Sequence, residues 1–123
     1  MSTGIKAARA SLAASLDDAV GSRTVRVYGY EAQPGGLSTP QAVTVATSGV
    51  SDTEWLFAVR VYVTLRNSSS FAAAQDSLDD LVTATDAALD ATLVPRSAWG
   101  VEYVDDLDCL VATTVVSYPR DDF

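Results

Sequence analysis

Histidine is absent from the 123-residue sequence, and cysteine occurs once. Imidazole is the usual base for a serine or cysteine nucleophile, and histidine is also the commonest transition-metal ligand. Most hydrolytic and metal-dependent mechanisms are therefore unsupported. The single cysteine, Cys109, excludes an internal disulfide and is expected to be a buried apolar residue of a strand.

Basic residues and long apolar runs are also scarce. The chain has 8 Lys and Arg against 16 Asp and Glu, which gives a net charge of -8. Nucleic-acid binding needs cationic contacts to phosphate, so specific DNA or RNA binding is not expected. Apolar runs such as Leu56 to Val59 are far shorter than the roughly 20 residues of a membrane span. We therefore expect a soluble protein without a signal peptide.

The spacing of apolar residues predicts a single α+β domain over residues 1–123. Helical spacing predicts one helix over residues 3 to 20 and a second that starts with Phe71, after a capping Ser70. Period-two alternation predicts strands over residues 24 to 30, 41 to 47, 57 to 66, 99 to 104 and 109 to 118. The predicted order is helix-β-β-β-helix-β-β, with a mostly antiparallel or mixed sheet and two helices packed on one face. Residues 119–123 are expected to form a flexible tail.

Two clusters could in principle carry chemistry, and neither matches a known pattern well. Glu102, Asp105, Asp106 and Asp108 could supply an acid and a base, but they lie at a predicted turn, where acidic residues are normally solvated. They also lack the ligand spacing of a calcium loop. Gly35 and Gly36 are not followed by the lysine of a phosphate-binding loop. No enzymatic activity and no cofactor or metal is predicted.

The predicted sheet carries a face rich in arginine and tyrosine, which we call the arginine–tyrosine face. It comprises Arg26, Tyr28, Tyr30, Arg60, Tyr62 and Arg66. Both residue types are enriched at protein interfaces, so a protein interface is the favoured interpretation. A face covered by solvent or a helix is the plainer alternative. Stacking on unpaired bases is a third possibility, which the acidic net charge disfavours.

The chain resembles the tail terminator proteins of long-tailed, siphovirus-type bacteriophages, especially those that infect actinobacteria. The resemblance runs from the helix containing Ile5 to the strand ending at Tyr118. It rests on the element order, on the strand from Trp55 to Val63, on the alanine-rich acidic helix that begins Ser70 to Ala74, and on the last strand before Pro119. These are pattern-level features without a catalytic motif.

The resemblance implies a structural virion protein that forms a ring, usually of six copies. Such a ring caps the tail tube, terminates its polymerisation and joins it to the neck or connector, at the head-proximal end of a tail assembled in the host cytoplasm. The implied partners are further copies of the chain, the tail tube protein and a neck protein, with DNA only as passing cargo. By position, the contacting loops are residues 31 to 40 and 48 to 54, with Gln33, Gly35, Gly36, Leu37, Ser51 and Asp52 as candidates.

A ring needs a head-to-tail contact between two different patches. Asp76, Asp79 and Asp80 lie three and four positions apart on the second predicted helix and crowd one surface with negative charge. Our sequence-based hypothesis is that this acidic face meets the arginine–tyrosine face of the next copy.

Other functions remain open at this point. Within virion architecture, the alternative is a head-closure protein, a neck connector or a minor tail protein. In another class, the alternative is a monomeric acidic module of the immunity or adaptor type, which would neutralise a basic partner.

Overall fold

Two helices and five strands follow one another in the order predicted from the sequence. The computed structural model describes residues 4–30, 39–65, 70–92, 94–104 and 108–120. The elements are α1 (Gly4–Val20), β1 (Val25–Tyr28), β2 (Gln41–Val50), β3 (Glu54–Thr64), α2 (Phe71–Ala91), β4 (Gly100–Val104) and β5 (Cys109–Pro119). The predicted α+β class is confirmed.

The strands form one mixed sheet in the order β1-β2-β3-β5-β4. The β1–β2 pair is parallel, and the other three pairs are antiparallel. β5 lies between β3 and β4, and its largely apolar character on both faces suits this interior position. The sheet therefore ends at β1 on one side and at β4 on the other.

Both helices pack on one face of this sheet, which we call the helix face. Leu12 and Leu16 of α1 and Leu78 and Leu89 of α2 are almost fully buried against the sheet. Burial of each such leucine contributes about 1.5–3 kcal/mol relative to leaving it exposed. The sheet supplies a layer of branched and aromatic side chains from three strands: Val43, Val45, Phe57, Val59, Val61 and Val116.

The expected start of α2 is confirmed. The Ser70 hydroxyl accepts a hydrogen bond from the backbone N–H of Ala73 at 3.0 Å, as an N-cap does. Phe71, although apolar, is 56% exposed. It lies on the first turn of α2, where its ring contacts Tyr103 of β4 edge to face, with 5.4 Å between centroids.

A second, smaller core lies on the opposite side of the sheet, which we call the far face. Its buried members are Tyr28, Ala42, Tyr62, Cys109 and Val111, with Val104 packed against them. Cys109 is fully buried within β5, as expected.

Several boundaries differ from the prediction, among them the start of β3, which lies at Glu54 rather than at residue 57. β1 ends at Tyr28, two residues early, whereas β2 continues to Val50 through an irregularity between Thr47 and Gly49. An extra residue at such a bulge breaks the alternation from which the strand was read. Pro119, predicted to start a flexible tail, is the last residue of β5. Arg120 also donates from its backbone N–H to the Thr53 carbonyl oxygen at 3.0 Å, and residues 121 to 123 lie outside the described residues.

Candidate subunit interface

The structure brings four members of the arginine–tyrosine face together on the far face of the sheet. Strand pairing arranges them in two adjacent rows that run across all five strands. The first row is Arg26, Ala42, Tyr62, Val111 and Glu102, and the second row is Tyr28, Thr44, Arg60, Thr113 and Gly100. Arg66 lies outside the described residues.

The two tyrosines are not available to a partner. Tyr28 is 7% exposed and Tyr62 is 5% exposed, because both rings belong to the far-face core. The interface role predicted for their side chains is therefore corrected to a packing role. Tyr30 is exposed, and its ring contacts Tyr28 edge to face at 5.5 Å between centroids.

The arginines of this face differ in accessibility. Arg26 is exposed, and its guanidinium carbon lies 5.0 Å from the centroid of the Tyr28 ring, a cation–π contact. Arg60 is only half-exposed, since it lies in the middle of the sheet between Thr44 and Thr113. Arg26, at the sheet edge, is thus the more accessible charge.

The predicted acidic face is present on α2. Asp76, Asp79 and Asp80 are all exposed, and the Gln75 side-chain amide donates to Asp79 at 2.8 Å. Because α2 covers the helix face, the sheet separates these carboxylates from the arginines of the far face. Within one subunit the two charged surfaces cannot neutralise each other.

The candidate loops are only partly within the described residues. Gln33, Gly35, Gly36 and Leu37 lie outside them. Ser51 and Asp52 are exposed in the turn between β2 and β3. Ser51 also maintains that turn, because its hydroxyl accepts from the Glu54 N–H at 3.0 Å and its carbonyl accepts from the Arg120 guanidinium at 2.8 Å.

Sequence reasoning missed a polar cluster that links α2 to the segment before β4. Arg96 donates to both carboxylate oxygens of Asp86, at 2.5 and 2.9 Å, and pairs with Asp90 at 2.7 Å. The indole N–H of Trp99 donates to the same Asp86 carboxylate at 2.8 Å. A bidentate arginine fixes both distance and orientation, so this cluster holds the segment before β4 against α2.

These contacts perturb both ionisable groups. Hydrogen bonds from Arg96, and then from Trp99, hold the pKa of Asp86 below its usual value, although partial desolvation opposes the shift. The hydrogen bonds to Asp86 and Asp90 raise the pKa of Arg96. The sequence held a signal for this cluster, since Arg96 is the only basic residue between positions 67 and 119 and stands among nine acidic ones.

Exposed apolar side chains concentrate beside β4. Phe71, Val101 and Tyr103 are 56%, 56% and 43% exposed, and all three lie on the helix side of the sheet. At the β4–β5 pair, a shallow depression of about 280 Å³ is lined by Gly100, Val101, Glu102 and Thr113. An apolar cluster beside a sheet edge is a common feature of interaction surfaces.

Among the described residues, no group of three Cys, Asp or Glu side chains is arranged to hold a metal ion. In the same part of the chain, neither helix has the length and apolar character needed to cross a lipid bilayer. The chain matches no protein-family model, and none of the curated proteins has a detectably similar sequence.

Proposed function

We propose that the protein is a tail terminator of a long-tailed bacteriophage. In this role it is a non-enzymatic subunit of a ring that caps the tail tube, stops its polymerisation and joins it to the neck. The main support is the observed order of elements, helix-β-β-β-helix-β-β, because the resemblance to tail terminators rests on that order. Three further features agree with the resemblance to tail terminators. They are the Ser70 N-cap of α2, the interior position of β5 and the packing of both helices on one face of the sheet.

The placement of charge supports a ring. A head-to-tail contact joins two unlike surfaces, and this chain carries arginines on the far face and carboxylates on the outer surface of α2. The sequence-based pairing of these two surfaces remains a prediction. The net charge of -8 is also suited to a ring through which DNA passes, because an acidic lining repels the phosphate backbone.

The test is incubation of the purified protein with self-polymerising tail-tube protein from the same source. Tube length and tube ends are scored by negative-stain electron microscopy. We expect shorter tubes with a distinct ring at one end. A matched control is the protein unfolded by heat, which should leave tube length unchanged.

Unchanged tubes without caps would contradict the terminator role. That outcome would favour a neck connector, which binds the other side of the joint, or a monomeric acidic module. Incubation with the purified neck protein separates these two, because a connector subunit binds it and a module of the immunity type does not.

A further inference from the structure

The two edges of the sheet differ in how their backbone groups are used. Ser97 donates to the carbonyl of Val115, and Ser117 donates to the carbonyl of Pro95. The backbone N–H and C=O groups of the odd-numbered residues of β5 therefore point toward β4, and those of the even-numbered residues point toward β3. In an antiparallel ladder these groups pair with Gly100, Glu102 and Val104, so Val101 and Tyr103 direct theirs outward.

The same reasoning gives the outward groups of β1. The N–H of Gln41 donates to the Thr24 carbonyl, so Thr24, Arg26 and Tyr28 face β2, and Val25 and Val27 face outward. The chain already caps most of this edge. Ser22 bonds to both the N–H and the C=O of Val25, and Arg9 donates to the carbonyl of Gly29 at 2.9 Å.

Between these caps lies Val27. Among the described residues, none hydrogen-bonds to its outward N–H and C=O, and the same holds for Val101 on β4. Each edge of the sheet thus offers one complete donor–acceptor pair near its middle. Exposed strand edges of this kind are templates for pairing with another chain.

We infer that copies of the chain join head to tail by adding β1 of one copy antiparallel to β4 of the next, with Val27 opposite Val101. The partner is a second copy, and the contact is heterologous. The inference rests on the self-assembly contained in the proposed function, but it does not depend on a role in the tail.

Charge complementarity selects this register. With Val27 opposite Val101, the first row continues into the next copy and places Arg26 directly beside Glu102. This is a non-hydrogen-bonded pair, in which side chains approach most closely, with Cα atoms about 4.5 Å apart. Both side chains are exposed on the far face.

The second row continues in the same way. It brings Tyr28 of one copy beside Gly100 of the next, where the missing side chain leaves the depression lined by Glu102 and Thr113. The Tyr28 ring is almost fully buried in its own far-face core, so the backbone edge of β1, rather than that ring, would lie over the depression.

The helix face is also complementary. Val25 and Val27 lie on that face of β1, as Val101 and Tyr103 do on β4. Because α1 packs over β1, the exposed Phe71–Tyr103 pair of one copy would lie beside α1 of the next. The junction covers the apolar side chains that concentrate at β4.

Pairing of β4 with another β4 is disfavoured. The two-fold register that pairs all five residues places Glu102 opposite Glu102 of the second copy. Like charges directly opposite each other destabilise a sheet. The inferred contact retains Arg26 from the sequence-based interface and replaces the acids of α2 with Glu102.

The test is oxidative cross-linking of a double variant, Arg26→Cys with Glu102→Cys, in the full chain. The Cα atoms of a non-hydrogen-bonded antiparallel pair lie about 4.5 Å apart, which is within the range of about 4.4–6.8 Å that a disulfide requires. We expect a ladder of covalent oligomers from the dimer upward on a non-reducing gel. Circular dichroism confirms folding, and the buried Cys109 is retained.

The matched control is Arg26→Cys with Asp79→Cys, which traps the alternative contact with the acidic face of α2. A ladder from this variant, or no ladder from the first, would overturn the inference. Each single variant alone should give no ladder, because in this contact its new cysteine has no cysteine opposite it on the next copy. An equimolar mixture of Arg26→Cys and Glu102→Cys should give mixed dimers, and their absence would also contradict a heterologous contact.

The outcomes for the two proposals are distinguishable. A ladder without tube capping would retain the edge contact and reject the terminator role. Tube capping without a ladder would retain the role and reject this contact.

Discussion

At the residue scale, Arg96 shows how much of the chain's negative charge is used internally. It engages two of the five aspartates of α2, Asp86 and Asp90, so among the described residues the aspartates without an ion pair lie in the first part of the helix. The cluster also fixes Trp99 immediately before β4. Arg96 therefore anchors the segment that leads into the edge strand.

We expect Asp86→Asn to lower the free energy of unfolding by about 1 kcal/mol. A hydrogen-bonded charge pair contributes more than a neutral one, but the Asp86 side chain is 36% exposed, and solvent screening reduces the effect. Urea denaturation measures the change. Asp76→Asn, on the exposed surface of the same helix, is the matched control and should change stability little.

The same pair makes stability depend on pH. Because folding lowers the pKa of Asp86, its contribution is fully present above the unfolded-state pKa and is lost as pH falls through the folded-state value. The difference in unfolding free energy between the wild type and Asp86→Asn should therefore be constant from roughly pH 5 to 8 and shrink below about pH 4. A difference that grows on acidification would contradict this assignment.

Accessibility of single side chains was the hardest property to read from the sequence. Alternation correctly placed Tyr28 and Tyr62 on one face with Arg26 and Arg60. The alternation does not indicate whether the tyrosine side chains on that face are buried. Their burial depends on packing against small neighbours such as Ala42 and Cys109, which are distant in sequence. The face was predicted, and its burial was not.

At the element scale, local signals located most boundaries. Ser70 and Gly21 mark helix ends because their positions satisfy or permit specific backbone geometry. At Gly21 an added Cβ would lie 2.6 Å from the Asp17 carbonyl oxygen, so the chain can turn there only without a side chain. The bulge in β2 and the hydrogen bonds of Arg120 depend on contacts distant in sequence, and no local pattern announces them.

We expect Ser70→Ala to destabilise the protein by about 1 kcal/mol, because the N–H of Ala73 loses its acceptor. Thermal unfolding followed by circular dichroism measures the loss. Ser70→Asp should restore stability, since aspartate also caps and its charge suits a helix N-terminus. Equal destabilisation by both variants would show that the hydroxyl acts in another way.

At the scale of the whole molecule, net charge opposes assembly. Every copy carries -8, whereas a single exposed pair such as Arg26 with Glu102 contributes only about 0–1 kcal/mol. In the proposed ring this repulsion would act between all copies, so it would outweigh the single attractive pair at each contact. Apolar and backbone contacts must therefore provide most of the affinity.

Raising the ionic strength should accordingly promote self-association of the wild-type protein. An increase from about 0.1 M to about 1 M salt shortens the Debye length from about 10 Å to about 3 Å and screens the repulsion. Sedimentation velocity at fixed protein concentration measures the fraction of oligomer. A fraction that falls with salt would mean that charge pairs, rather than the sheet edges, dominate the contact.

The position of β5 has a consequence for biosynthesis. It is the last strand in chain order among the described residues, yet it lies between β3 and β4, and every β3–β5 pair joins residues far apart in sequence. Sheets closed by such distant pairs fold in milliseconds to seconds, slowly for a domain of this size. Until β5 leaves the ribosome, β3 has an unpaired edge, so fragments that end before Cys109 should aggregate or bind chaperones rather than fold.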